Sequence, residues 1–391
     1  MSDCFKQAKW VYNDMLNYGN NGDIFKYEYV DHKTVTRLDK DGNKINEKVD
    51  LAVVFHRAIV KQLKTNISNL SKAKKKGLKV GALKYVSEIN SIPIITGFIK
   101  IKDKKHITIP SFKNLTVYGL EQLDKYKDYE ISDGRLIRKA SGFYIKISVC
   151  INKSEFKSKP IGKSVGLDFG IRKNITTSDG EKFNCNVQES EQLKFLQKQL
   201  HRKQEGSKRH YRLLNQIRRE HEHLSNKKTD EANKLVHYLK TSNDVIYFQD
   251  EQIANWKKKK RNKKNGKVNN RLSFGKQIQH SYLGRVKAKL VSLEKEGKSF
   301  MFSKWKATTK FCPNCGCLND IGDSETYVCE CGYTMDRDVH ASKNVKLFGS
   351  TKRAECLEQA SAEASVNTSS IVSRLIMQTE SMKRKQKAYS L

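Results

Sequence analysis

The stretch from Phe311 to Val345 constrains this chain more than any other. "FCPNCGCLND" and, after a short spacer, "YVCECGYTMDRDVHASKNV" hold five of the nine cysteines. Paired, clustered cysteines favour a metal over disulfides when nothing else points to an oxidising compartment. Zn²⁺ bound by four thiolates needs two tight knuckles, because each cysteine pair must turn both sulfurs toward one centre. Gly316 and Gly332 directly follow the last cysteine of each knuckle, where a tight turn is required. The pattern selects Cys312, Cys315, Cys329 and Cys331 as a structural zinc site, since four thiolates leave no open position for a catalytic water. The second knuckle has one residue, Glu330, between its cysteines, and this leaves Cys317 open as a substitute ligand. Asp336 and Asp338 follow within a few residues, so a thiolate site and a carboxylate pair are packed together.

At 391 residues the chain exceeds one typical domain, and a multidomain α+β protein is expected. Lys and Arg total 76 against 42 acidic residues, a formal charge of +34 that calls for a polyanionic partner, nucleic acid first. The start, "MSDCFKQAKW", carries no apolar signal core. His56 and Arg57 interrupt "LAVVFHRAIV" far short of the ~20 apolar residues a membrane span needs. No membrane partner is expected, and the protein should be cytoplasmic.

Apolar spacing in "FKQAKWVYNDML" and "LAVVFHRAIVKQLKTNISNL" predicts a helical region over 1–82. From 83 to 160 short segments such as "SIPIITGFIKIK", "HITIP" and "GFYIKISVCI", punctuated by turn residues, predict a small antiparallel sheet or barrel. A new unit opens with "KSVGLDFGIRKNITTSDG", continues through charged helices between 188 and 240 and the strand "DVIYF", and reaches the helix "KQIQHSYLGRVKAKLVSL" and the strand "KSFMFSKW". Beyond residue 349 the Ser, Ala, Glu and Lys-rich tail, 350–391, is expected to be disordered.

Asp168, Glu251 and Asp338 each sit at the edge of a predicted element, the last also being a candidate helix N-cap. Phosphodiester hydrolysis with two cations needs carboxylates converging from separate elements. Taken together, "VGLDFGIRKN", "VIYFQDEQI" and "CPNCG…CECGYTMDRDVHASKNV" resemble the split RuvC nuclease and inserted zinc ribbon of the TnpB family. These transposon-encoded proteins, also called OrfB, are relatives of the type V CRISPR effectors. The resemblance covers about 160–347. It implies an RNase H-like α/β domain in two parts, 161–308 and 335–349, around a ribbon at 309–334. It further implies catalysis by Asp168, Glu251 and Asp338 as ligands of two Mg²⁺ ions, and action as an RNA-guided DNA endonuclease on a guide RNA and a target DNA in the nucleoid. Two positions depart from the family. An "ED" pair commonly follows the second strand, whereas Gln249, Asp250 and Glu251 follow it here, so Asp250 rivals Glu251; His340 stands where the family usually has Asn. The N-terminal half is similar to the family's first recognition helix and wedge barrel. The family usually sets a β-strand before that helix, and the chain starts too late to supply it, so either the barrel closes differently here or the start is truncated.

The run "WKKKKRNKKNGKVNNR" is a like-charge block that cannot pack. Lys257, Lys258, Lys259, Lys260, Arg261, Lys263, Lys264 and Lys267 are therefore candidates for holding a nucleic-acid backbone. A nuclease-inactive, RNA-guided repressor of the same family is the alternative function, and a complete acidic triad argues against it. A strand transferase would need its own nucleophile, which "HEH" at His221–His223 does not supply.

Overall fold

Two helices and a series of short strands build the first of two units, residues 1–158; the second comprises residues 159–391. A computed structural model describes residues 1–28, 33–38, 42–126, 128–151, 161–257, 260–261, 268–269, 274–322 and 324–362. In the first unit, α1 (Ser2–Asn21) buries Phe5, Ala8, Val11 and Met15 along one stripe. The hairpin β1 (Thr34–Leu38) and β2 (Lys44–Lys48) follows, with Thr34 opposite Lys48. This hairpin corrects the wholly helical reading of 1–82. Gly42 at φ 87° supplies the left-handed residue its turn needs. α2 (Val53–Lys75) then buries Phe55, Ile59 and Leu63.

The strands β3 (Ser91–Ile94), β4 (Lys100–Ile101), β5 (His106–Ile109), β6 (Phe112–Thr116), β7 (Tyr129–Arg138) and β8 (Phe143–Ile151) pair as two separate three-stranded antiparallel sheets, β3–β7–β8 and β4–β5–β6. Among the described residues no barrel closes, contrary to expectation. Pro93 in β3 lacks a ladder donor and suits an edge strand. Nor does the unit break near residue 82. Phe5, Val11, Phe55 and Leu63 share one core with Ile92, Ile94, Ile107 and Leu136, because sheets this small need a helix face to pack on.

In the second unit, β9 (Ser164–Phe169), β10 (Ile175–Thr177) and β11 (Lys182–Phe183) form an antiparallel meander. α3 (Glu191–Leu200) and α4 (Lys208–Ser242) start at Ser190 and Ser207, whose hydroxyls accept from Leu193 and His210 N–H groups. β12 (Val245–Gln249) then pairs parallel to β9 on its other edge. A 3₁₀ turn at Ile253–Lys257 and the two-residue strands β13 (Lys260–Arg261) and β14 (Val268–Asn269) precede α5 (Gly275–His280) and α6 (Leu283–Leu293). The single helix expected across α5 and α6 is broken at Ser281, which is extended and accepts from the Leu283 N–H. Its predicted face is nonetheless buried at Ile278, Tyr282, Val286, Leu290 and Leu293. β15 (Ser299–Phe302) pairs parallel to β12 and completes a mixed sheet of order β11–β10–β9–β12–β15.

β16 (Thr326–Val328) and β17 (Thr334–Asp336) form the ribbon hairpin, and α7 (Arg337–Ala362) follows without a break. Helix through Ala362 corrects the expectation of disorder from residue 350, and 363–391 lie outside the described residues. Strand alternation divides the sheet faces. Val165, Leu167, Ile246 and Phe248 pack in the core with α4 and α6, whereas Tyr247 and Phe302 pack with Val345 and Phe348 of α7. Gly166 and Asp168 alternate with that first set. A Cβ on Gly166 would lie 2.3 Å from the Ser342 carbonyl oxygen and 2.5 Å from the Lys346 nitrogen. Only glycine lets α7 lie this close to β9.

Candidate active site and metal centre

The parallel strands β9, β12 and β15 all end at one cavity of about 700 Å³. Asp168, at the end of β9, Glu251, two residues past β12, and Asp338, in the first turn of α7, line it together. The "DRD" pair divides its labour. Asp336, not Asp338, caps α7, accepting from the backbone N–H groups of Asp338 (3.0 Å) and Val339 (3.1 Å) and pairing with Lys182 at 2.6 Å. The Asp338 carboxylate thus faces the cavity, with the Lys173 ammonium 3.9 Å away. Asp250 is turned to Lys287, which also donates to the Glu251 carbonyl at 2.8 Å, and it is not part of the cavity wall.

Burial, and then the negative charges of Asp338 and Glu251, push the Asp168 carboxyl up to about 7. Glu251 is also raised, first by burial, while Lys304 and Lys287 draw it back. Such a site binds protons or cations. Oxygen ligands suit Mg²⁺, which keeps part of its water shell and needs only one or two carboxylates per ion. The three carboxylates do not form a single-ion cage: among the described residues only the cysteine cluster has three or more donor atoms all within 4.8 Å of one another.

Four carboxylates line the cavity, Glu325 being the fourth, and six cations do: Arg172, Lys173, Lys304, Lys306, Lys310 and Arg337. The sequence reading did not single out those cations. "SKWKATTK" directly after β15 was the available signal, since ligands bind beyond the carboxyl ends of parallel strands. Of the lysine run, only Lys257, exposed at the end of the 3₁₀ turn, and the backbone of Lys260 and Arg261 fall within the described residues. Lys258, Lys259, Lys263, Lys264 and Lys267 lie outside them. His221 and His223 are exposed on α4.

Cys312, Cys315, Cys329 and Cys331 bring their sulfurs together, with Cys312 to Cys331 at 3.7 Å and Cys315 to Cys329 at 3.5 Å. Tetrahedral Zn–S bonds of about 2.3 Å require sulfurs about 3.8 Å apart, so these four fit zinc. Gly316 (φ 76°) and Gly332 (φ 85°) make the knuckle turns and donate to the Cys312 and Cys329 carbonyls at 2.9 Å each. Cys317 stays outside the cluster, and its carbonyl accepts from the Cys312 N–H at 2.8 Å. The Asn314 amide and the Tyr333 N–H draw the Cys331 thiol down to about 6, toward the thiolate a metal needs.

The ribbon is fixed to the carboxylate-bearing helix by His340. Its fully buried ring stacks on Tyr327 of β16, centroids 3.7 Å apart and 13° from parallel, and its Nε2 lies 3.1 Å from the Asn344 amide. Burial lowers its pKa to about 4, which keeps the ring neutral at physiological pH. Asn344 also donates to the Thr308 and Phe311 carbonyls at 2.7 and 2.8 Å. Thiolates and carboxylates adjoin in sequence because the hairpin closed by the cysteines runs straight into the helix that presents Asp338.

The second unit thus combines a mixed sheet, a carboxylate-floored, cation-walled cavity and a four-cysteine cluster in the segment directly before α7. Residues 147–260 match the family model OrfB_IS605, described as a probable transposase, and residues 291–345 match the Cas12f1-like TNB domain. A putative RNA-guided DNA endonuclease of Streptomyces pristinaespiralis is 25% identical over 191 residues, 48% of this chain and 45% of that protein. TnpB-like protein L79 of Acanthamoeba polyphaga mimivirus is 31% identical over 157 residues, 37% of this chain and 27% of that protein. These matches support the resemblance to the TnpB/OrfB family read from the sequence. The matched part of the chain spans less than half the length of these relatives. A Cas12f1–sgRNA–target DNA complex aligns over 75% of this chain and 78% of its own, at 14% identity and a TM-score of 0.28, too weak a likeness to bear on the fold. Among the described residues no helix is long and apolar enough to cross a membrane.

Proposed function

We propose that this chain is an RNA-guided DNA endonuclease whose second unit is an RNase H-like, RuvC-type nuclease domain. The observation that carries this reading is the meeting of Asp168, Glu251 and Asp338, from three separate elements, on the floor of one cation-walled cavity. Asp168, Glu251 and Asp338 would hold two Mg²⁺ ions. When bound, these supply an activated water and charge neutralisation at the leaving oxygen. Lys304, Lys306, Lys310 and Arg172 would hold the strand by its phosphates. The four cysteines would hold a structural Zn²⁺ that closes the ribbon, and the Tyr327–His340 stack would hold the start of α7, and with it Asp338, in place. Sequence choice would be delegated to base pairing with a guide RNA. The test is to purify the protein and sequence the RNA that accompanies it. One abundant structured RNA with a variable end, which programs cleavage of DNA complementary to that end, is expected; random cellular RNA would count against the proposal.

A further inference from the structure

Trp305 is 84% exposed, whereas Trp10 is buried and Trp256 half-buried. An aromatic side chain held open to water in a basic segment can offer its flat face to a nucleobase. The segment that carries it is firmly anchored. Gln249 donates to the carbonyls of Ser303 (3.4 Å) and Lys306 (3.0 Å) and accepts from the Thr308 hydroxyl at 3.1 Å, and Asn344 holds the Thr308 carbonyl. The ring is therefore presented from a fixed loop at the carboxyl end of β15. The Lys304 ammonium sits 4.6 Å from the ring centroid and lines the carboxylate cavity. Lys306, on the other side of Trp305, also lines the cavity. The loop thus sets an exposed aromatic platform between two lysines that both line the carboxylate cavity.

We propose that Trp305 is a nucleobase-stacking site for an unpaired nucleotide of the strand entering the carboxylate cavity, with Lys304 and Lys306 on its phosphates. The occupant is a single-stranded polynucleotide, because a base inside a duplex has both faces covered by its stacked neighbours. Stacking recognises any base, so Trp305 would grip and orient the strand without choosing sequence. The inference deepens the nuclease reading and rests on it for the strand's identity.

The test uses the full chain, zinc retained and Mg²⁺ withheld, at salt high enough to screen phosphate contacts. The probes are a short oligodeoxythymidylate, the same strand with abasic sites, and one carrying a single iodouracil for photocrosslinking. Trp305→Ala is expected to weaken the thymidylate strand about 5- to 150-fold, the range for loss of one base stack, and to leave the abasic strand unchanged. Trp305→Phe should retain most of the affinity, and the crosslink should map to Trp305. Unchanged thymidylate binding by Trp305→Ala, an equal loss on the abasic strand, or a crosslink confined to other residues would overturn the proposal, the first pointing to a protein partner for this ring. Binding needs no cleavage. A protein that cuts no DNA yet shows the base-dependent loss keeps the stack and refutes the nuclease, while one that cuts DNA but is indifferent to Trp305→Ala refutes the stack alone.

Discussion

Gly166→Ala tests whether the close approach of α7 to β9 places the carboxylates. The added Cβ would meet the Ser342 carbonyl oxygen at 2.3 Å and the Lys346 nitrogen at 2.5 Å, and both are backbone atoms of a helix. Ordinary non-bonded contacts lie near about 3.5 Å, so α7 must retreat by about 1 Å. Overpacking a core costs about 1–3 kcal/mol, and a rigid obstacle puts this substitution near the upper end. The same retreat carries Asp338 away from Asp168, and a misplacement of about 1 Å can cost about 100-fold in rate. Urea unfolding and Mg²⁺-dependent cleavage of a guided substrate should be measured on one preparation. The expected result is a loss of about 3 kcal/mol and about 100-fold slower cutting, with zinc content unchanged. Wild-type stability would refute the contact. Lost stability with wild-type cutting would refute the claim that this contact sets the position of Asp338.

Three further outcomes are expected. Cys312→Ser should release zinc and melt the ribbon, since structural zinc contributes roughly 10 kcal/mol or more to such folds, whereas Cys317→Ser should retain the metal; metal analysis decides between them. Asp250→Asn should lose the Lys287 pair yet still cut DNA, while Glu251→Gln should be inactive, and the reverse pattern would reassign the second acid. The third concerns pH. An Asp168 carboxyl raised to about 7 from 3.8 binds more protons in the folded than in the unfolded state. Stability of the metal-free protein should therefore fall as pH rises from 4 through 7, by about 1–3 kcal/mol once solvent screening in an open cavity is allowed for. Asp168→Asn should match the wild type near pH 4, exceed it at pH 8 and gain nothing from added Mg²⁺; an equal stability difference at both pH values would contradict this.

The second unit was far more legible in the sequence than the first. Its strands are short apolar runs bounded by acids or glycines, and its metal centre is written in spacing that admits few geometries. Which aspartate of "DRD" caps the helix was not legible, because both lie within reach of the first turn and only the end of β17 fixes the register. Lys304 and Lys306 were missed for a related reason: each is an ordinary surface lysine until β15 is placed parallel to β12. In the first unit the hairpin at 34–48 hid among lysines and asparagines, with Gly42 as its main cue. Whether short strands close a barrel or stay as two sheets depends on long-range pairing that local pattern does not carry. The helix from 350 to 362 was missed because its Ala, Glu, Leu and Lys are good helix formers that also occur in disordered tails.

The central claim is that Asp168, Glu251 and Asp338 perform the chemistry while other parts of the chain hold the nucleic acid. It is tested most directly by measuring Mg²⁺-dependent cleavage and binding of the same guided DNA by the wild type and by Asp168→Ala, Glu251→Gln and Asp338→Asn. The account predicts that all three variants bind within a few-fold of the wild type and cut at no detectable rate. Cutting at the wild-type rate by Asp168→Ala would contradict it.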